Sequence, residues 1–388
     1  MKFFISLGIC VFYSLLGISQ NKDNQLNEYI NFLNTQNISA KEYILELFDR
    51  YDIVVLCERH HQEMTQYDLI FDIVSDKRFI DNHGQIIMEV GVANSHEKLN
   101  AFLHNDTLSD DKVEDSLLSI IRNNDFNPLW EMTNYPTFIK NLYYLNKNLP
   151  GQQKITVYPV DVPFSWNTVA SQKEYKAVMD TIDSFRSDEI MGVQMQKIVT
   201  EHNHNKFLII MNHYHSWFIP EKYGAAWWIK NKFPEKTVNV LLNNVLQGNL
   251  TDDGRWDAAF KITNKEDLGF DMANTPFGKT NFNKYLIKWY DNEIDGVLKQ
   301  HNKMQDFFHG YVFYKPIEKQ ILSYGYPNYI EGEFKKEFDR RSKIAFGKLV
   351  AFFGKYKIRK HYNKVRQKQY NNIDKQINKR DEWIDNNK

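Results

Sequence analysis

The sequence predicts an α/β protein: a largely parallel central sheet with helices on both faces, a helical insertion and a basic C-terminal helical tail. Three observations carry that expectation. Short apolar, β-branched runs recur at Ile53–Leu56, Gln85–Val90, Lys154–Asp161, Phe207–Asn212, Val238–Leu242 and Gly310–Tyr314, each of strand length. Segments with helical spacing lie between them, and strands alternating with helices build parallel sheets covered on both faces. Four of the runs end in ionisable residues: Glu58 with His60 and His61, Glu89, Asp161, and His213 with His215. Ligands of open α/β sheets sit at the carboxyl ends of the strands, so four such endings point to a single polar site.

The totals set bounds. The chain has 388 residues, 42% hydrophobic and 15% aromatic, enough to bury a real core in one large domain or two ordinary ones. Its zero formal net charge gives no global case for a nucleic-acid or membrane partner. Two cysteines, Cys10 and Cys57, leave no intrachain disulfide once the leader is removed. Cys57 reads as a small apolar strand residue, with a nucleophile beside two histidines as the alternative.

Met1-Lys2, the apolar run Phe3–Leu16 and the small residues after it read as a signal peptide over 1–19. The mature chain is therefore expected to be exported: periplasmic, secreted or associated with the cell envelope. Residues 20–332 form the α/β domain. Ser39, with Glu42 three residues on, predicts a capped helix over Ala40–Phe48. A helix is expected over Glu63–Asp76. The stretch of about 94–150 reads as a helical insertion over the site, with helices at Asn94–His104, within Asp106–Asn124 and at Pro136–Asn148. Ser171–Arg186 and Asp188–His202 read as amphipathic helices, and Tyr223–Lys232 as a helix that Pro234 ends. Asp252–Phe282, rich in Gly, Asn and Asp, reads as loop, Asn283–His301 as helix, and Gly310–Tyr314 as the last strand. His202 and His204 fall at the amino end of the sheet.

Residues 333–388 differ from the rest. They hold seventeen Lys and Arg against seven Asp and Glu, so the remainder must be correspondingly acidic. Ile344, Phe346, Leu349, Val350, Phe352, Phe353 and Tyr356 interleave with the basic residues. Two readings fit: a helix packed on the sheet with a solvated basic extension, or a membrane-surface helix.

The candidate site comprises Glu58, His61, Glu89, Asp161 and His215, with His60 and His213 as secondary candidates. A carboxylate beside an imidazole can hold it as a general base, which activates water against an acyl carbon. A second His or Glu would serve the leaving group or the oxyanion. Glu58, His61, Glu89 and His215 are also a plausible ligand set for zinc or manganese. There is no Gly-x-Ser-x-Gly elbow, no His-Glu-x-x-His and no glycine-rich nucleotide loop, which argues against serine hydrolases of the elbow type, zincins and nucleotide-binding enzymes.

Leu56-Cys-Glu-Arg-His-His61, Ile86-Ile-Met-Glu89, Tyr158-Pro-Val-Asp161 and Met211-Asn-His-Tyr-His215, followed by Gly224-Ala-Ala-Trp-Trp-Ile229, resemble in order the motifs of the erythromycin esterase-like family. Its superfamily includes the ChaN-type haem-binding lipoproteins and the Tiki proteases. Counting Glu-x-x-His, as in the esterases, selects Glu58 and His61; counting Glu-x-His, as in the haem-binding branch, selects Glu58 and His60. Cys57 stands where the family has Gly. The resemblance covers roughly residues 50 to 315. It implies a hydrolase of an ester, lactone or related acyl bond on a small-molecule substrate. His61 would be the base, balanced by Glu58 and Glu89; His215 would assist the leaving group, and Asp161 would hold a histidine. That scheme requires no cofactor, while a divalent metal is a variant of it. The alternatives are a haem- or iron-binding protein of the ChaN type and a non-enzymatic surface-associated protein working through its basic tail.

Overall fold

The computed structural model describes residues 24–127, 134–182, 186–219, 224–246, 248–285, 299–362 and 366–387. The leader and most of the expected helix at Asn283–His301 lie outside them. In chain order the elements are α1 (Asn24–Asn34), α2 (Ala40–Arg50), β1 (Ile53–Glu58), α3 (Thr65–Val74), β2 (Gln85–Val92), α4 (His96–Leu103), α5 (Asp110–Ile121) and α6 (Asn134–Lys147). There follow β3 (Val157–Asp161), α7 (Gln172–Ile182), α8 (Arg186–Glu201), β4 (Phe207–Asn212), α9 (Ala225–Lys232), β5 (Thr237–Leu242), α10 (Arg255–Ile262) and β6 (Asp267–Asp271). Last come β7 (Gly310–Tyr314), β8 (Leu322–Tyr324), α11 (Phe334–Tyr362), β9 (Arg366–Lys368) and α12 (Ile373–Asn386).

The main sheet has seven strands in the order β3-β2-β4-β1-β5-β7-β6. All neighbours are parallel except the edge pair β7–β6. Continuous apolar runs are what a strand needs when helices cover both of its faces. Every residue of β1, β2 and β5 is buried accordingly. Val54 and Leu56 of β1 meet α2, α3 and the insertion helices in the larger core cluster; Ile53 and Val55 turn to the other face, toward α8 and α9. Ser39 caps α2 as expected, its Oγ accepting from the Glu42 amide at 3.2 Å. The insertion helices are not a separate body. Leu99, Leu117 and Leu142 share the core cluster of β1, β2 and β4.

Two expectations are corrected. Asp252–Phe282 is not a loop, since it holds α10 and β6. Its acidic residues mark the strand's ends: Asp267 accepts from the Ala40 amide and Asp271 from the Tyr43 hydroxyl, both at 2.7 Å. Between them Leu268 and Phe270 are buried. Gly269 lets the backbone approach Tyr43, because a Cβ there would lie 2.5 Å from the Tyr43 Cβ. Nor is Gly310–Tyr314 the last strand. β8 pairs antiparallel with β9, from within the tail.

The tail is joined to the body at several points. Phe338 enters the main core, and Ile344 packs in one cluster with Val92 at the end of β2, Phe164, Trp166, Val169 and Tyr175 of α7. Arg340 donates to the carbonyls of Trp166 and Val169, each at 2.9 Å. In α12, Arg380 meets Glu318 at 2.6 Å, and the Trp383 indole donates to the Asp253 carbonyl at 3.0 Å.

Candidate functional site

The connection leaving β1 runs toward β2, while the one leaving β4 runs the opposite way to β5. β1 and β4 are neighbours, and a ligand crevice belongs where connections diverge in this manner. Glu58 is the last residue of β1, Glu89 lies beside it on β2, and His213 and His215 lie in the turn after β4.

The loop from Arg59 to Gln66 is held by a buried polar network. Arg59 is fully buried; it pairs with Glu63 at 2.8 Å and donates to the Asn243 side chain, the Asn243 carbonyl and the Tyr314 carbonyl. Glu63 accepts from the Thr65 and Gln66 amides at 2.8 and 2.9 Å and so starts α3. Gln66 in turn accepts from the Arg59 amide at 2.7 Å and donates to the His60 carbonyl at 3.0 Å. Asn134 of α6 donates to the His61 carbonyl. Between these ties His61 is turned inward and His60 outward. His60 is exposed and accepts from the Gln62 amide at 3.2 Å.

A bulge sets Glu89. β2 pairs with β3 as Met88 with Pro159 and then Val92 with Asp161, so three residues face one. Gly91 takes φ +113° within it, and a Cβ there would press to 2.6 Å of the Asn124 side chain. The Glu89 carboxylate accepts from the Asn212 amide at 2.6 Å, at the end of β4.

The result is an alternating line of carboxylates and imidazoles. Glu58 Oε1 lies 2.5 Å from His61 Nδ1, and Glu58 Oε2 accepts from the Tyr67 hydroxyl at 3.1 Å. Asp188, in the first turn of α8, lies 2.7 Å from His215 Nδ1. The two Nε2 atoms face the same Glu89 oxygen, at 3.5 Å from His61 and 3.4 Å from His215. Burial alone would lower both imidazole pKa values. Glu58 and Glu89 outweigh it at His61, which is raised to about 9; Glu89 and Asp188 outweigh it at His215, which is raised to about 10.

The other candidates take different places. Asp161 does not hold a histidine by a hydrogen bond, since Asp188 makes the contact expected of it. Its Oδ1 accepts from the Val162 amide at 2.7 Å; burial lifts its pKa to about 7, with the Glu89 charge adding to the rise. His213 is buried, and neither ring nitrogen has a hydrogen-bond partner. Burial lowers its pKa to about 3, helped by the nearby His215 and His61, so the ring is neutral. Cys57 is fully buried and its thiol is pushed up, as befits a strand residue and not a thiolate nucleophile.

Asp188, Tyr67 and Asp125 were not among the sequence candidates. Burial pushes the Asp125 carboxyl well up, and it lies close enough to feel the charges of Asp161 and His61. Asp188 and Tyr67 come from helix interiors and starts, where an acid or a tyrosine has ordinary uses. Only the packing of α8 and α3 on the strand ends singles them out. Glu58, His61 and Glu89 each offer a ligand atom, all within 4.8 Å of one another. Two carboxylates and an imidazole are a donor set that suits manganese or zinc.

No family model matches the sequence, and no curated protein matches it. Among solved structures the chain is similar to one described as cofacial haem binding to ChaN of Campylobacter jejuni, at 15% identity and TM-score 0.34, over 51% of this chain and 84% of that one. It is also similar to a succinoglycan biosynthesis protein, at 8% identity and TM-score 0.44, over 76% of this chain and 97% of that one. A Bacillus cereus protein is similar at 9% identity and TM-score 0.42, over 75% and 97%.

Proposed function

We propose that the chain is an exported hydrolase of an ester, lactone or related acyl bond in a small molecule. One observation carries the reading: two imidazoles are each anchored at Nδ1 by a carboxylate of their own, and both present Nε2 to one shared oxygen of Glu89. Anchoring at Nδ1 fixes the tautomer and aims Nε2 at the reacting atoms.

The two imidazoles divide the work, with His61 as the base and His215 as the acid. His61 loses its proton first, near pH 9, and its Nε2 then takes the proton of the attacking water. His215, near 10, still carries its proton. It stabilises the oxyanion formed when the water oxygen bonds to the acyl carbon, and then gives the proton to the leaving alkoxide as the carbon–oxygen bond breaks. The products are a carboxylic acid and an alcohol. Glu58 and Asp188 hold the rings, Tyr67 steadies Glu58, and Glu89 keeps both imidazoles charged until one is needed. Turnover therefore rises with pH toward 9 and falls above 10, a narrow alkaline bell. The test is hydrolysis of simple esters, lactones and macrolides across that range, with His61→Gln and His215→Gln each expected to lose about a hundredfold to ten-thousandfold in kcat. Turnover unchanged in either variant sinks the scheme.

A metal-assisted form of the same reaction has its own support in the clustering of Glu58, His61 and Glu89. A divalent cation there would replace the His61 proton and bring the optimum toward neutral pH. Loss of turnover in chelator, restored by manganese or zinc, selects this form. Absence of turnover on every substrate, with a Soret band on adding haemin, replaces both with haem binding.

A further inference from the structure

We propose that the outer half of α11 is a docking surface for an anionic lipid bilayer. The helix is broken at Gly347, whose φ of +70° and ψ of 173° lie outside the helical range. Before the break Phe338 and Ile344 are buried; after it Leu349, Phe352 and Phe353 are 77%, 68% and 65% exposed. Their spacing of three and four residues puts them on one helix face. Large apolar side chains this exposed, three together, are uncommon on a soluble surface and mark contact sites.

Charge complementarity identifies the occupant. Arg340 and Arg341 are taken up by Glu337, but from 342 to 373 the chain carries nine further Lys and Arg and neither Asp nor Glu. Lys343, Lys348 and Lys357 are exposed on the same helix. Apolar rings flanked by unopposed cations match a bilayer with anionic headgroups, which covers the rings with acyl chains and meets the cations with phosphate. A nucleic acid would satisfy only the cations, and an apolar protein groove only the rings. Among the described residues no helix is long and apolar enough to cross a membrane, so α11 would lie on the surface. Both ends of the segment are tied to the body, by Arg340 on the 166–169 turn and by the β9–β8 pair, and Ala351 is buried at 4% exposure, so Leu349, Phe352 and Phe353 form the face turned away from it.

The test is co-sedimentation of the purified chain with vesicles of phosphatidylglycerol and phosphatidylcholine, against phosphatidylcholine alone. Binding is expected only to the mixed vesicles, and is expected to fall with salt. Phe352→Ser/Phe353→Ser should weaken it by about tenfold or more, and Lys348→Glu/Lys357→Glu should abolish the preference for the anionic lipid. Circular dichroism and thermal melts confirm that each variant is folded, since the altered side chains are exposed. No vesicle binding, or binding equal in the variants, overturns the proposal. So does retention on duplex nucleic acid without vesicle binding, or a dimer that the double serine variant dissolves. The measurement uses no substrate, so it stands apart from the hydrolytic reading.

Discussion

In the proposed reaction Asp188 helps to fix which imidazole is the acid. It contributes, after Glu89, to keeping the His215 proton on, and its hydrogen bond aims the ring. Asp188→Asn removes that charge, and the His215 pKa falls toward the ordinary value. In that scheme His215 must be protonated to act, so the alkaline limb of the rate profile moves down to the His61 pKa, and with further descent the acid limb follows His215 to lower pH. The peak of kcat/KM should drop by about tenfold for each unit of descent below the His61 pKa. An unmoved alkaline limb would mean that another group is the acid. Arg59 poses the opposite problem, a charge that does no chemistry. It and Glu63 are both fully buried. Arg59→Met strands the Glu63 carboxylate and should cost about 3–5 kcal/mol of unfolding free energy in denaturant titrations, much of it recovered by adding Glu63→Gln. Glu58, His61, Glu89 and His215 were legible in the sequence because each closes an apolar run. Asp188 was not, because nothing local distinguishes a site acid from an acid that begins a helix.

Strands read from apolar runs were legible because they are buried on both faces, which leaves composition little choice. β4 falls where the sequence placed it, at Phe207–Asn212. β6 failed the same reading because it is a short antiparallel edge with acids at both ends and a glycine in the middle, features that locally spell loop. Tertiary contact with α2 makes it a strand. Gly269→Ala would drive a methyl group into the Tyr43 stem, which cannot swing away because the nearest atom is its Cβ. The expected loss is about 1–3 kcal/mol, read by chemical denaturation. The bulge at Glu89–Gly91 was likewise hidden, since register is a property of two strands and the sequence shows one.

The charge division of the whole chain was visible at once: a basic end on an otherwise acidic chain. The composition could not tell how the end is attached. The tail threads back through the body twice, first at β9 on β8 and then at α12 beside α10. β8 also bridges to Glu63, and the Ile321 carbonyl accepts from the Met64 amide at 2.8 Å, so the tail is stitched to the loop that positions His61.

That stitching has a consequence for a severed chain. Brief trypsin treatment should cut first among the exposed lysines of outer α11, such as Lys348 and Lys357. The two pieces should nonetheless travel as one particle on a sizing column and part only in detergent. The smaller piece keeps its strand pairing through Arg366–Lys368, its Arg380–Glu318 bridge and its Gln376 contact with the Leu250 amide. Peptide-bond continuity through this stretch is then dispensable to the folded state, and a nicked protein whose thermal melt matches that of the intact chain would show it.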